Sequence, residues 1–157
     1  MTNQQLFLRK VIKLALENVQ TGKGGPFAAL IVKENNIIAS GTNLVTSLND
    51  PTAHAEINAI REACKILGTF QLEGCEMYTS CEPCPMCLGA LYWARTSKLF
   101  YACTRQDAAA AGFDDSLIYT EFSKPIGERK IEMVHLPHND ALAAFKEWIE
   151  KEDKIKY

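Results

Sequence analysis

A chain of 157 residues with 17 basic and 19 acidic side chains, net charge −2, has the length of one compact domain. Its 47% hydrophobic and 23% charged composition excludes a disordered, collagen-like or polar-tail chain, and the near-neutral balance gives no strong global attraction to a nucleic-acid backbone. Six cysteines are the unusual number, too few for a disulfide scaffold at this length and too many to ignore.

The polar start, Met1 to Gln5, leads into Arg9, Lys10 and Lys13 without the apolar run of a secretory leader. No apolar stretch approaches the ~20 residues of a membrane span, so the expectation is a soluble cytoplasmic protein with no membrane partner. In that reducing compartment, clustered cysteines are more often metal ligands or catalytic groups than disulfides.

Leu8, Val11, Ile12, Ala15 and Val19 follow the i, i+3, i+4, i+7 rule of a helix ending near Gly22. After Gly24-Gly25-Pro26, the continuously apolar run Phe27 to Val32 reads as a strand covered on both faces. Asn35-Asn36 suits a hairpin turn into a second strand, Ile37 to Thr42. Asp50-Pro51 or Thr52 is expected to cap a helix through Leu67, closed by Gly68. Glu76 to Ser80 reads as a strand, Cys84 to Arg95 as a helix, Leu99 to Ala102 as a strand, Ile131 to Leu136 as a last strand and Ala141 to Lys151 as a helix. A hairpin followed by strand-helix-strand crossovers predicts an α/β fold, a three-layer α/β/α sandwich around a mixed sheet of about five strands, in one domain over 1–157.

The chemistry gathers at two helix starts. His54-Ala55-Glu56 lies in the first turn of one, and Pro83-Cys84-Pro85-Met86-Cys87 opens another directly after a strand. Two thiolates and one imidazole suit Zn²⁺ and leave its fourth tetrahedral position for water. Cys84 and Cys87, three apart on a first turn, face the same way, and the exposed amides and dipole there favour thiolate. Both helix starts are expected at one end of the sheet, where α/β folds place ligands. A purely structural zinc site has no use for Glu56. Beside a metal whose charge two thiolates cancel, a carboxylate is needed to take a proton from water and deliver it to substrate, so the combination predicts metal-assisted hydrolysis.

His-x-Glu with Pro-Cys-x-x-Cys resembles the signature of the cytidine deaminase-like zinc nucleobase deaminases. The stretches Asp50 to Glu56 and Thr79 to Arg95, with Gly24 to Phe27, Ala111 to Ser116 and terminal Tyr157, resemble the guanine-deaminating branch over nearly the whole chain. That resemblance implies one zinc per chain held by His54, Cys84 and Cys87, Glu56 as the catalytic acid and base, and hydrolysis of guanine to xanthine and ammonia. It matches Asp115 to a carboxylate that accepts from the N1–H and amine edge of guanine, with Asp114 as the alternative, and Asn43 to a contact with the purine ring. It matches Tyr157 to a tyrosine that closes the pocket, often from the partner of a homodimer with exchanged C-terminal segments, here about 140–157. Phe27 and Trp93 are candidates to stack on the ring. The partner expected is a small purine base and not nucleic acid.

Competing readings remain at this stage. Cys81-x-x-Cys84-x-x-Cys87 also resembles part of an iron–sulfur run, but Ala90 and Leu91 stand where a fourth cysteine is needed. Cys81 is an alternative ligand to one of the pair, while Pro83 favours Cys84 and Cys87. Cys64, Cys75, Cys81 and Cys103 read as small packing residues. A tRNA adenosine deaminase shares the two metal motifs but is generally more basic; an aminotriazine is an alternative small substrate, and a zinc-stabilised binding domain would leave Glu56 without work.

Overall fold

The structure is a computed structural model that describes residues 1–157. Its contacts fall into two units, residues 1–115 and 116–157. In the first, helix α1 (Asn3–Gln20) is followed by strands β1 (Ala28–Lys33) and β2 (Asn36–Thr42), a one-turn helix α2 (Val45–Leu48), helix α3 (Ala55–Leu67), strand β3 (Cys75–Cys81), helix α4 (Pro85–Ala94), strand β4 (Lys98–Cys103) and helix α5 (Arg105–Ala110).

The sheet is mixed, in the order β2-β1-β3-β4. The strand β1 runs antiparallel to both neighbours, while β3 and β4 are parallel across the α4 crossover. Side-chain alternation sends Ala28, Leu30 and Val32 of β1 to one face, with Tyr78 of β3, against Val11 and Ala15 of α1. Ala29 and Ile31, with Ala39 and Met77, meet Ala55, Ala59 and Ala63 of α3 and Leu91 and Ala94 of α4 on the other. The unbroken apolar run of β1 is thus explained by helices on both sides, and the expected three layers form.

Several boundaries differ from the sequence expectation. Glu34 and Asn35 hold the two left-handed positions of the hairpin turn, φ 50° and 62°, so Asn36 already opens β2 and the turn sits one residue earlier. The carboxylate of Asp50 accepts from the Thr52 backbone N–H at 2.8 Å and its hydroxyl at 2.7 Å. That local turn consumes the cap, and α3 starts only at Ala55 with His54 as its N-cap. Gly68 closes α3 at φ 63°, as expected.

Four strands form, not about five. The segment 131–136 is irregular, and its apolar side chains stand in the open, Ile131 at 80% exposure and Leu136 at 81%. The unit 116–157 holds helix α6 (Ser116–Ser123), two 3-10 turns (Ile126–Glu128 and Asn139–Leu142) and helix α7 (Ala143–Glu150), but no strand to supply ladder partners. A period-2 apolar pattern describes which way side chains point. It does not provide a neighbour.

Strands β2, β3 and β4 end at the same edge of the sheet, where β1 begins. Ala28 pairs with Thr42, Ala29 with Thr79, and Cys81 with Cys103. The starts of α3 and α4 therefore meet at that edge, as expected of an α/β sheet. No helix is long and apolar enough to cross a membrane.

Candidate active site

His54 is held by the backbone around it. The Asn58 backbone N–H donates to the His54 carbonyl at 3.0 Å. The side-chain amide of Asn58 donates to the Thr42 carbonyl at 2.9 Å and to the Ala53 carbonyl at 3.3 Å. One asparagine thus fastens the end of β2 to the residue before the histidine. Across the sheet edge, Cys84 is the N-cap of α4 with Pro85 in the first turn, where a missing N–H is harmless, and Cys87 follows one turn along.

His54 Nδ1 lies 3.6 Å from Cys84 Sγ and 3.5 Å from Cys87 Sγ. The three donor atoms all fall within 4.8 Å of one another. Bond lengths of about 2.05 Å to nitrogen and 2.3 Å to sulfur at a tetrahedral angle imply an N···S edge of about 3.6 Å, so the group fits zinc and identifies Nδ1 as the donor. Charge agrees with shape. The hydrogen bond from Cys87, reinforced by His54 and opposed by burial, holds the Cys84 thiol down to about 4, while sharing that proton, with burial, pushes the Cys87 thiol far up. The pair keeps one proton that a divalent cation replaces.

Glu56 is 5% exposed on the first turn of α3. Burial raises its carboxyl above the ordinary range, against hydrogen bonds from its own backbone N–H and from Cys87 that lower it. Its Oε1 also lies 3.3 Å from the Thr79 hydroxyl. A buried carboxyl raised in this way, beside the His54, Cys84 and Cys87 group, is suited to take up a proton.

Asn43 lies buried just beyond β2, at the same sheet edge. Its Oδ1 accepts from the backbone N–H of Val45 at 3.3 Å and of Gly25 at 3.4 Å, which fixes the orientation of the side-chain amide. Behind it, the buried Asn18 of α1 donates from Nδ2 to the carbonyls of Gly25 and Asn43, both at 2.9 Å. Asp115 is half-buried whereas Asp114 is exposed, and burial followed by the nearby Cys84 charge raises the Asp115 carboxyl.

Phe27 meets Phe113 edge-on with ring centroids 4.9 Å apart, making an aromatic corner over Gly25. Trp93 lies near the end of α4, nine residues after Cys84, and is 71% exposed. Cys81 does not belong to the ligand group; its thiol donates to the Thr104 carbonyl at 3.4 Å and is pushed up to about 11, mainly by burial. Tyr157 belongs to the 116–157 unit and is 74% exposed there. Thr79, Asn58 and Asn18 leave no local pattern in the sequence, since each makes a hydrogen bond to a partner 16 or more positions away.

Comparison with known proteins gives a concordant result. Residues 1–103 match the family model for the cytidine and deoxycytidylate deaminase zinc-binding region. The chain is 54% identical over 155 residues to the guanine deaminase of Bacillus subtilis, covering 99% of both. It is 34% identical to the tRNA-specific adenosine deaminase of Aquifex aeolicus, covering 94% of this chain and 95% of that one. The crystal structure of guanine deaminase from Bacillus subtilis superposes with a TM-score of 0.95 at 54% identity, covering 98% of each chain.

Proposed function

The chain belongs to the cytidine and deoxycytidylate deaminase zinc-binding family, and from that premise we propose that it hydrolyses guanine to xanthine and ammonia. One observation carries the reading: a carboxyl only 5% exposed, Glu56, lies beside the His54, Cys84 and Cys87 group. His54, Cys84 and Cys87 are the zinc ligands. Zinc bound there supplies Lewis acidity that brings the pKa of water into a range a carboxylate can share.

Glu56 then does the proton work. It accepts a proton from the water that adds at C2, returns it to the ring nitrogen, takes up the second and passes it to the departing amine as ammonia. Water and guanine are consumed, and xanthine and ammonia leave, with no net proton held by the protein. Asp115 accepts from the N1–H edge and the Nδ2 donors of Asn43 meet ring acceptors, so the two side chains read complementary groups of one base. Adenine lacks the N1–H that Asp115 requires. The Phe27 and Phe113 corner supplies apolar surface beside the ring.

A panel of guanine, adenine, cytosine, cytidine and tRNA, followed by ammonia release, tests the reading. Turnover is expected on guanine, and activity on tRNA without guanine would overturn it in favour of an RNA-acting relative. Asp115→Asn is expected to raise KM for guanine by roughly 10- to 100-fold, with zinc content unchanged, since it replaces an acceptor-only group on a charge-assisted bond. An unchanged KM removes Asp115 from recognition.

The second unit supports a homodimer with exchanged C-terminal segments. No residue of 116–157 is buried, although it carries Leu117, Phe122, Val134, Phe145 and Ile149 among many apolar side chains, far more than a solvated tail presents. In this arrangement the segment, ending at Tyr157, docks on a second copy and closes its site. Light scattering on a sizing column is expected to give twice the chain mass, 17.5 kDa per chain; a monomer rejects the exchange. The thiolate ligands suit the reducing cytoplasm as the place of action.

A further inference from the structure

Strand β3 turns Met77, Thr79 and Cys81 toward α3 and α4, and Thr79 sets a hydroxyl among that strand's otherwise apolar side chains on this face. It is 1% exposed, and its Oγ1 lies 3.3 Å from Glu56 Oε1 and 3.4 Å from the Ala28 carbonyl oxygen. A threonine hydroxyl has one proton and so serves one acceptor at a time. Of the two, the carboxylate draws the stronger bond.

The terminal torsion of a glutamate is broad, so each donor that engages one carboxylate oxygen narrows the rotations it samples, and Thr79 does this at Oε1. Glu56 must present one oxygen to water and then to two different nitrogens of the base. We infer that Thr79 is a positioning residue that fixes the Glu56 carboxylate through Oε1 for proton transfer. The inference rests on the role of Glu56 given above and deepens it. The Thr79 hydroxyl bonds Glu56 and the Ala28 carbonyl, not His54, Cys84 or Cys87, so its part in the chemistry runs through Glu56. A β-branched residue suits the strand in either case, and valine would fill the same volume. The hydroxyl, not the shape, is what the geometry singles out.

Two explanations of this hydroxyl make different demands. If it only satisfies its own burial through the Ala28 carbonyl, its removal lowers stability and leaves the chemistry alone. If it positions Glu56, removal lowers kcat and leaves substrate binding alone. Thr79→Val, Thr79→Ser and Glu56→Gln are measured beside the wild type for kcat and KM with guanine, zinc per chain and Tm. In Thr79→Val, kcat is expected to fall about 10-fold, the lower end for a residue supporting a catalytic group, with KM within about twofold and zinc unchanged. Thr79→Ser, which keeps the hydroxyl, is expected to restore most of kcat.

Full kcat in Thr79→Val overturns the inference, as does a kcat loss that tracks zinc loss or a serine that fails to restore the rate. The Glu56→Gln arm separates this failure from that of the underlying reading. An inactive Glu56→Gln beside a fully active Thr79→Val rejects the Thr79 role alone. Turnover retained in Glu56→Gln rejects the role of Glu56 and the inference with it.

Discussion

Glu56→Gln is expected to keep zinc and lose ammonia release by roughly 10²- to 10⁴-fold, the range of a general acid-base group, or about 3–5 kcal/mol of barrier. Glutamine preserves the shape of a side chain that is 5% exposed, and its carbonyl can still accept from Thr79. What it cannot do is take a proton. His54, Cys84 and Cys87 are untouched, so metal content measured per chain should match the wild type, which distinguishes lost chemistry from a lost site. The direction of the Glu56 shift fits this role: burial makes the ionised carboxylate less favourable, so the group takes a proton from water more readily than an exposed glutamate would. Turnover retained in the glutamine variant would place the proton relay elsewhere.

The parts of this site that were legible in the sequence are those carried by spacing along one helix start. Cys84 and Cys87 form the N-cap and first turn of α4, and His54 and Glu56 those of α3, so local geometry alone sets each pair. That the two starts meet follows from strand direction, which the hairpin and the crossover dictate. What was not legible depends on partners distant in sequence. Asn18 reaches 25 positions to the Asn43 carbonyl, and Thr79 reaches back 23 positions to Glu56. Neither asparagine nor threonine carries any mark of that task.

Other helix starts are marked by local motifs in the sequence. Thr2 with Gln5 and Thr104 with Asp107 form capping boxes at the starts of α1 and α5, and both have the three-residue separation such a motif requires. The opposite case is 131–136, where an apolar pattern was present and the partner strand was not. A strand is a relation between two segments. A helix start is largely a property of one, which explains why the metal motifs were more secure than the edge of the sheet.

The spacing between β2 and α3 supports the largest structural prediction. Ala39 and Gly41 lie on the face of β2 toward α3, against a row of alanines, Ala55, Ala59 and Ala63, all fully buried. A Cβ built on Gly41 would lie 2.2 Å from the Ala55 carbonyl oxygen and 2.5 Å from the Ala59 backbone nitrogen. Both are helix backbone, so no side-chain rotation relieves the overlap, and α3 must move by about 1 Å to restore ordinary contact. That motion carries His54 and Glu56, which the start of the same helix presents. Gly41→Ala is therefore expected to lower stability by about 1–3 kcal/mol, the usual range for overpacking, and Gly41→Val by more. Activity should fall further than stability, because a displacement of about 1 Å at a reacting group can lower the rate by about 10²-fold. Thermal unfolding, zinc content and kcat measured on one preparation check the prediction. A Gly41→Ala protein with wild-type Tm and kcat would show that β2 and α3 have room to separate without disturbing the site, and that the glycine is not what sets their approach.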